Sequence, residues 1–102
     1  MDRIATLAEI LAQDPNNILA RYGLAMEYSN SGQPDRALGE FGKLLSANPD
    51  YAAGYFMAAQ TQVKANRPEE AKQMLRDGIA AAQRKRDSHA QSEMQAMLDE
   101  LS

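Results

Sequence analysis

The chain has no cysteine and no tryptophan. Without cysteine there is no disulfide framework, no thiolate nucleophile and no zinc–thiolate site. The lack also suits a reducing compartment. Aromatic residues make up 6% of the 102, so large flat side chains cannot carry the core. β-branched residues are scarce as well, Val63 being the only valine and Thr6 and Thr61 the only threonines, which disfavours sheet. A basic surplus is missing: 11 Lys and Arg stand against 14 Asp and Glu, a net charge of −3. That argues against general nucleic-acid binding, which needs a basic face. The longest basic run, Arg84-Lys85-Arg86, has acidic residues to both sides, Asp87 next to it and Asp77 further upstream. No apolar run approaches the ~18–20 residues that span a bilayer. The opening Met1-Asp2-Arg3-Ile4 does not begin a long apolar stretch of the kind a leader carries. The expectations are a cytoplasmic protein with neither a nucleic-acid nor a membrane partner.

What is present is alanine, leucine and methionine, residues that lose little rotamer freedom in a helix. Hydrophobic residues are 44% and charged residues 25% of the chain, ordinary for one small packed domain. Four prolines divide the sequence. Pro15 and Pro49 are 34 residues apart, as are Pro34 and Pro68. Proline suits the first helical position, and Asp14 and Asn48 carry the side-chain oxygen of an N-cap. Asp35, Glu69 and Glu70 would then lie in first turns, where the helix dipole favours negative charge. These signals predict helix starts near 15, 34, 49 and 68.

Apolar spacing supports the division. Ile4, Leu7, Ala8 and Leu11 form an i, i+3, i+4, i+7 stripe. Similar stripes follow: Leu24, Ala25 and Tyr28; Ala37, Phe41, Leu44 and Leu45; Tyr55, Ala58 and Ala59; Ala71, Leu75, Ile79 and Ala82; and Ala90, Met94, Met97, Leu98 and Leu101. Six helices result. Ser31-Gly32-Gln33 and Ala65-Asn66-Arg67 read as tight turns, with Gly32 and Asn66 suited to a left-handed C-cap. Short turns make neighbours antiparallel. The fold class is all-α, an antiparallel helix-pair solenoid of about six helices.

A 34-residue period with two helices per unit resembles the tetratricopeptide repeat family. The resemblance rests on Ala25/Ala59, Pro34/Pro68, Ala37/Ala71 and Ala47/Ala81, identical across the period, with Phe41/Leu75 and Leu45/Ile79 alike in class. It also rests on Tyr28 late in a first helix and Pro49 at a repeat end. It implies one domain: a half-repeat helix over 2–14, repeats over 18–51 and 52–85, and a capping helix over 88–101. Three positions depart from the family's pattern. Arg21 stands where Trp is usual, Gln62 where Tyr is usual, and Gln83 where the next repeat-end proline would fall. The last helix is out of phase, which predicts a longer connection around 84–88. The layout resembles small stand-alone bacterial members of the family.

In such a solenoid the first helix of each pair lines the concave side. The resemblance therefore implies a binding surface for a peptide or helix of a protein partner. Its candidates are Leu19, Tyr22, Met26, Ser29 and Asn30 on one helix, and Ala53, Phe56, Gln60, Val63 and Lys64 on the next. The middle of that surface is apolar and uncharged, and methionine suits adaptable contacts. The competing expectation is that the terminal helices cover these residues and make them core. A homodimer through the N-terminal half-repeat is the alternative to a separate ligand. Some chaperone-binding members hold a carboxylate on this face with Lys, Arg and Asn; here only Lys64 and Asn30 are available, so no such clamp is expected.

Chemistry is not expected. Asp87, Ser88 and His89 are consecutive and cannot form a hydrolytic relay. One histidine with Asp99 and Glu100 does not make a metal site. Gly39, Gly42, Gly54 and Gly78 lie in helical patterns rather than in a phosphate loop, and close helix approach is their expected role. No enzyme and no cofactor is predicted.

Overall fold

The computed structural model describes residues 2–102; Met1, at the head of the N-terminal stretch read above, lies outside them. Among the described residues there are six helices and no strand: α1 Arg3–Gln13, α2 Ile18–Asn30, α3 Pro34–Ala47, α4 Ala52–Lys64, α5 Pro68–Arg84 and α6 Ser88–Leu101. Each packs on its neighbour in sequence. Beyond that, α2 touches α4 and α4 touches α6, whereas α1, α3 and α5 do not touch one another. The inner row is therefore close and the outer row splayed, which curves the stack around α2, α4 and α6.

The core follows the 34-residue register. Ala25, Ala37 and Ala58 surround Phe41 and Leu44, and Ala59, Ala71 and Ala82 surround Leu75 and Met94. All of these are essentially inaccessible to solvent. Alanine at the crossings lets the helix axes approach, and the larger side chain of the facing helix fills what remains. A third cluster, Leu11, Ala20 and Leu24 with Ile4 and Leu7 against it, fastens α1 to α2.

Two of the expected helix starts hold and two move. Pro34 and Pro68 open α3 and α5. Pro15 and Pro49 do not open helices, and α2 and α4 begin three residues later. Asp14 and Asn48 are C-caps, not N-caps. The reason is that a residue before proline is pushed out of the α region; Asp14 lies at φ −138° and ψ 82°, and Asn48 at −135° and 74°. The proline then serves as the second residue of a four-residue turn, closed by Asn17 N–H to the Asp14 carbonyl and Tyr51 N–H to the Asn48 carbonyl, each 3.1 Å. The true N-cap of α2 is Asn17, whose side chain accepts from Ala20 N–H at 2.9 Å.

The α2–α3 and α4–α5 turns are left-handed at Gly32 and Asn66, as expected. The α5–α6 connection differs from expectation: it is short, not long. Arg86 takes the left-handed conformation, and Asp87 N–H bonds back to the Ala82 carbonyl at 2.9 Å, as Gln33 N–H does to Tyr28 and Arg67 N–H to Gln62. The phase shift originates inside α5, which has 17 residues where α3 has 14. With Gln83 in place of a proline, nothing stops the helix at the repeat end.

The departures from the family pattern are satisfied differently. The Arg21 guanidinium pairs with Glu40 at 2.6 Å and donates to the Pro15 carbonyl at 3.0 Å. Tyr55, 34 residues on, donates its hydroxyl to the Pro49 carbonyl at 2.7 Å. Two unlike side chains thus tie equivalent helices to equivalent turns. Gln62 is buried, and its Oε1 has no hydrogen-bond partner. Close approach explains two of the four glycines singled out. A Cβ at Gly54 would stand 2.9 Å from Leu45 Cδ2, and one at Gly78 would stand 2.6 Å from Tyr55 Cβ. Gly39 and Gly42 have open space around them and are not packing sites.

These surroundings set the expected effect of three substitutions on stability. In urea denaturation, Gly39→Ala is expected to gain up to about 1 kcal/mol, because an exposed helical glycine lacks alanine's propensity. Gly78→Ala is expected to lose about 1–3 kcal/mol through overpacking; the reverse order would contradict the contacts above. Gln62→Met removes an unpaired buried carbonyl at similar volume and is expected to raise stability by about 1 kcal/mol, measured as a shift of the same midpoint.

Candidate functional site

The curvature leaves a furrow between α4 and α6, with its near end at α2. One end is a cleft of about 270 Å³ bounded by Tyr22, Ala53, Phe56 and Met57 on one side and by Asp87, His89, Ala90 and Glu93 on the other. The second is a shallower hollow of about 290 Å³ lined by Phe56, Gln60, Glu93, Met97 and Glu100. Phe56 and Glu93 border both, so the two are continuous.

Tyr22 joins the furrow to the core. Its ring meets Phe41 and Tyr51 edge-on, with centroids 6.3 and 5.8 Å away. Burial pushes its phenol pKa above the usual value, and Tyr51 adds to the rise. Phe56 is half-buried against the cluster around Leu75 and Met94. Of the candidates named from the sequence, Tyr22, Ala53, Phe56 and Gln60 come together in the furrow. Met26 instead leans on the Phe41 cluster, and Ser29 bonds to Thr61 at 2.9 Å between α2 and α4. Leu19, Asn30, Val63 and Lys64 are exposed and line neither hollow; Leu19 is 76% accessible.

The terminal helices do not both cover this surface. α1 packs on the opposite flank of α2 through Leu7 and Leu11, and Arg3 pairs with Glu27 at 2.6 Å. α6 sits beside α4 and forms a wall rather than a lid. That wall is what the sequence alone does not supply: it gives α6 as a cap or, in the competing expectation, as cover over the groove residues, and neither makes it one side of an open furrow. The signal was available: Glu93 and Glu100 fall at i and i+7 with Met97 between them at i+4, along the edge of the Met94 stripe to which Met97 also belongs.

His89 lies on the rim, 86% exposed, with Nε2 3.1 Å from Glu93. Asp87 is occupied as the N-cap of α6, accepting from Ala90 N–H at 3.0 Å. These contacts leave His89 directed at Glu93 rather than at Asp87, so residues 87–89 form no relay. Among the described residues no group of three or more His, Asp or Glu is placed to hold a metal ion. Among the described residues no helix is long and apolar enough to cross a membrane.

Comparison with known proteins bears on this geometry. The tetratricopeptide repeat family model matches residues 28–98, and a second model of the same description matches 6–39. A TPR repeat-containing protein of Pseudomonas aeruginosa is 30% identical over 98 residues, 96% of this chain and 93% of its own. Among solved structures, a Bordetella parapertussis protein superposes with a TM-score of 0.85 at 29% identity, covering 99% of this chain and 88% of the other. A tetratricopeptide repeat domain protein from Salinibacter ruber superposes at 0.80 and 26% identity, covering 86% and 89%. The type III secretion translocator chaperone SycD of Yersinia enterocolitica shares the fold, with a TM-score of 0.85 at 16% identity over 96% of this chain and 68% of its own. The tetratricopeptide fold generally mediates protein–protein interaction, and its members are generally non-enzymatic scaffolds. The chain belongs to the tetratricopeptide repeat family.

Proposed function

We propose that the protein is an interaction scaffold that takes a peptide or helix of another polypeptide into the furrow between α4 and α6. The observation that carries this is the furrow itself: Tyr22, Ala53, Phe56 and Gln60 share one concave surface that neither terminal helix closes. An aromatic floor on a preformed wall is what an apolar anchor requires. In this reading α1 is a half-repeat, 18–51 and 52–85 are the two repeats, and α6 serves as cap and wall together. The cytoplasm is the compartment that the cysteine-free composition suits. A symmetric dimer is the competing reading, favoured by Ile10, which stands 41% exposed on the outer face of α1.

The test is chemical-shift mapping with a partner segment recovered from the source cell. Shifts are expected at Tyr22, Phe56 and Gln60. Ala53→Arg, at an exposed position that blocks the cleft, is expected to weaken binding about tenfold or more while leaving the melting temperature nearly unchanged. Shifts confined to α3 and α5 would sink the proposal.

A further inference from the structure

The charge along the two hollows of the furrow is one-sided, with Lys85 bordering only the neighbouring hollow on the far side of Asp87. Asp87, Glu93 and Glu100 stand along them, and no Lys or Arg lines either one. Glu100 has no ion-pair partner among the described residues, and Glu93 meets only His89, which is charged only when protonated. Lys64, the one cation on the α4 groove stripe, projects from the end of that helix and lines neither hollow. Glu93 and Glu100 are seven residues apart on one helix face, about 10 Å along the axis, and the wall from 87 to 100 runs about 20 Å. Opposite these carboxylates lies the apolar floor of Ala53 and Phe56.

We infer that the occupant of the furrow is a basic amphipathic segment of another protein, with apolar side chains seated on Ala53 and Phe56 and Lys or Arg paired with Glu93 and Glu100. This rests on the binding reading above and adds the chemistry of the ligand. An acidic segment would face repulsion along the wall, and a neutral one would gain nothing from its carboxylates. Rim charges of this kind act on encounter rate and on discrimination between partners more than on raw affinity. Nucleic acid and anionic lipid are disfavoured by the same carboxylates.

Three synthetic helical peptides of about 14 residues, matched to the length of the wall, provide the test. They share one apolar face and carry Lys, Gln or Glu on the flanks. Fluorescence anisotropy on the intact protein is expected to show the Lys peptide bound about tenfold more tightly than the Gln peptide at ~0.1 M salt. The advantage should shrink as salt rises to ~0.5 M, because exposed pairs are screened. The Glu93→Gln, Glu100→Gln double variant should bring the Lys peptide close to the Gln peptide, with an unchanged melt. If the Gln or Glu peptide binds as well as the Lys peptide while shifts still map to Tyr22 and Phe56, the charge inference falls and the furrow reading stands. If no peptide shifts Tyr22 or Phe56, both fall. If sedimentation shows a dimer whose interface maps to the furrow, the occupant is a second copy and the inference is overturned.

Discussion

The structure depends on alanine at the helix crossings. Ala25, Ala37, Ala58, Ala59 and Ala71 are fully buried where facing helices approach each other. A larger residue at any of them would hold the axes apart, and the interlock of Phe41 with Leu44 or of Leu75 with Met94 would open a void. Because Ala25 and Ala59, and Ala37 and Ala71, are 34 positions apart, with Ala58 answering Leu24, the two helix pairs are built to similar spacing and stack in the same sense. The small residues on the inner row let α2, α4 and α6 lie close. Once they do, their bulkier neighbours Tyr22 and Phe56 have nowhere to go but the concave side. The furrow is thus a by-product of how the core is packed.

Much of this was legible from spacing alone. The six stripes, the left-handed Gly32 and Asn66, the antiparallel pairs and the buried alanines all follow from period and residue class. What was misread was punctuation. Proline can open a helix or occupy the second position of a turn, and Asp14-Pro15 and Asn48-Pro49 look the same as Gln33-Pro34 to a rule that considers only the first use. The difference lies upstream: α1 and α3 run directly into their prolines, and the residue before each is forced out of the helical region. Pro34 and Pro68 follow turns that have already ended a helix.

The candidate site was half legible, for a related reason. Positions on α2 and α4 could be compared across the 34-residue period, and Tyr22, Ala53, Phe56 and Gln60 came out of that comparison. Leu19, Asn30, Val63 and Lys64, at helix ends, line neither hollow, and mid-helix Met26 turns to the Phe41 cluster, so position along the stripe did not decide which residues converge. α6 had no counterpart in phase, so Glu93 and Glu100 carried no expectation, and Met97 was expected only as part of the core stripe. Similarly, Arg21 replaces the usual aromatic with a guanidinium that reaches Glu40 and the Pro15 carbonyl. Nothing in the period predicts that substitution. It becomes intelligible once Tyr55 is seen making the equivalent bond to Pro49.

The same reasoning connects the missing proline at position 83 to where α6 begins. An α-helix turns about 100° and advances 1.5 Å per residue. The three residues that α5 has beyond the length of α3 therefore carry its exit roughly 300° around and about 4.5 Å further on. The chain then needs a tight reversal at once, which Arg86 supplies in the left-handed conformation despite its side chain, at a cost of about 1–2 kcal/mol. α6 consequently starts in a register different from that of α2 and α4. In this register Met94 plugs the space beside Gly78 while Glu93 and Glu100 face the furrow. Which face of α6 turns inward is set by its own apolar stripe: Met94, Leu98 and Leu101 pack on the cluster of Leu75 and Ala82, and Glu93 and Glu100 on the neighbouring face are left to border the furrow. The packing of α6 thus sets the sign of the charge that an incoming segment meets.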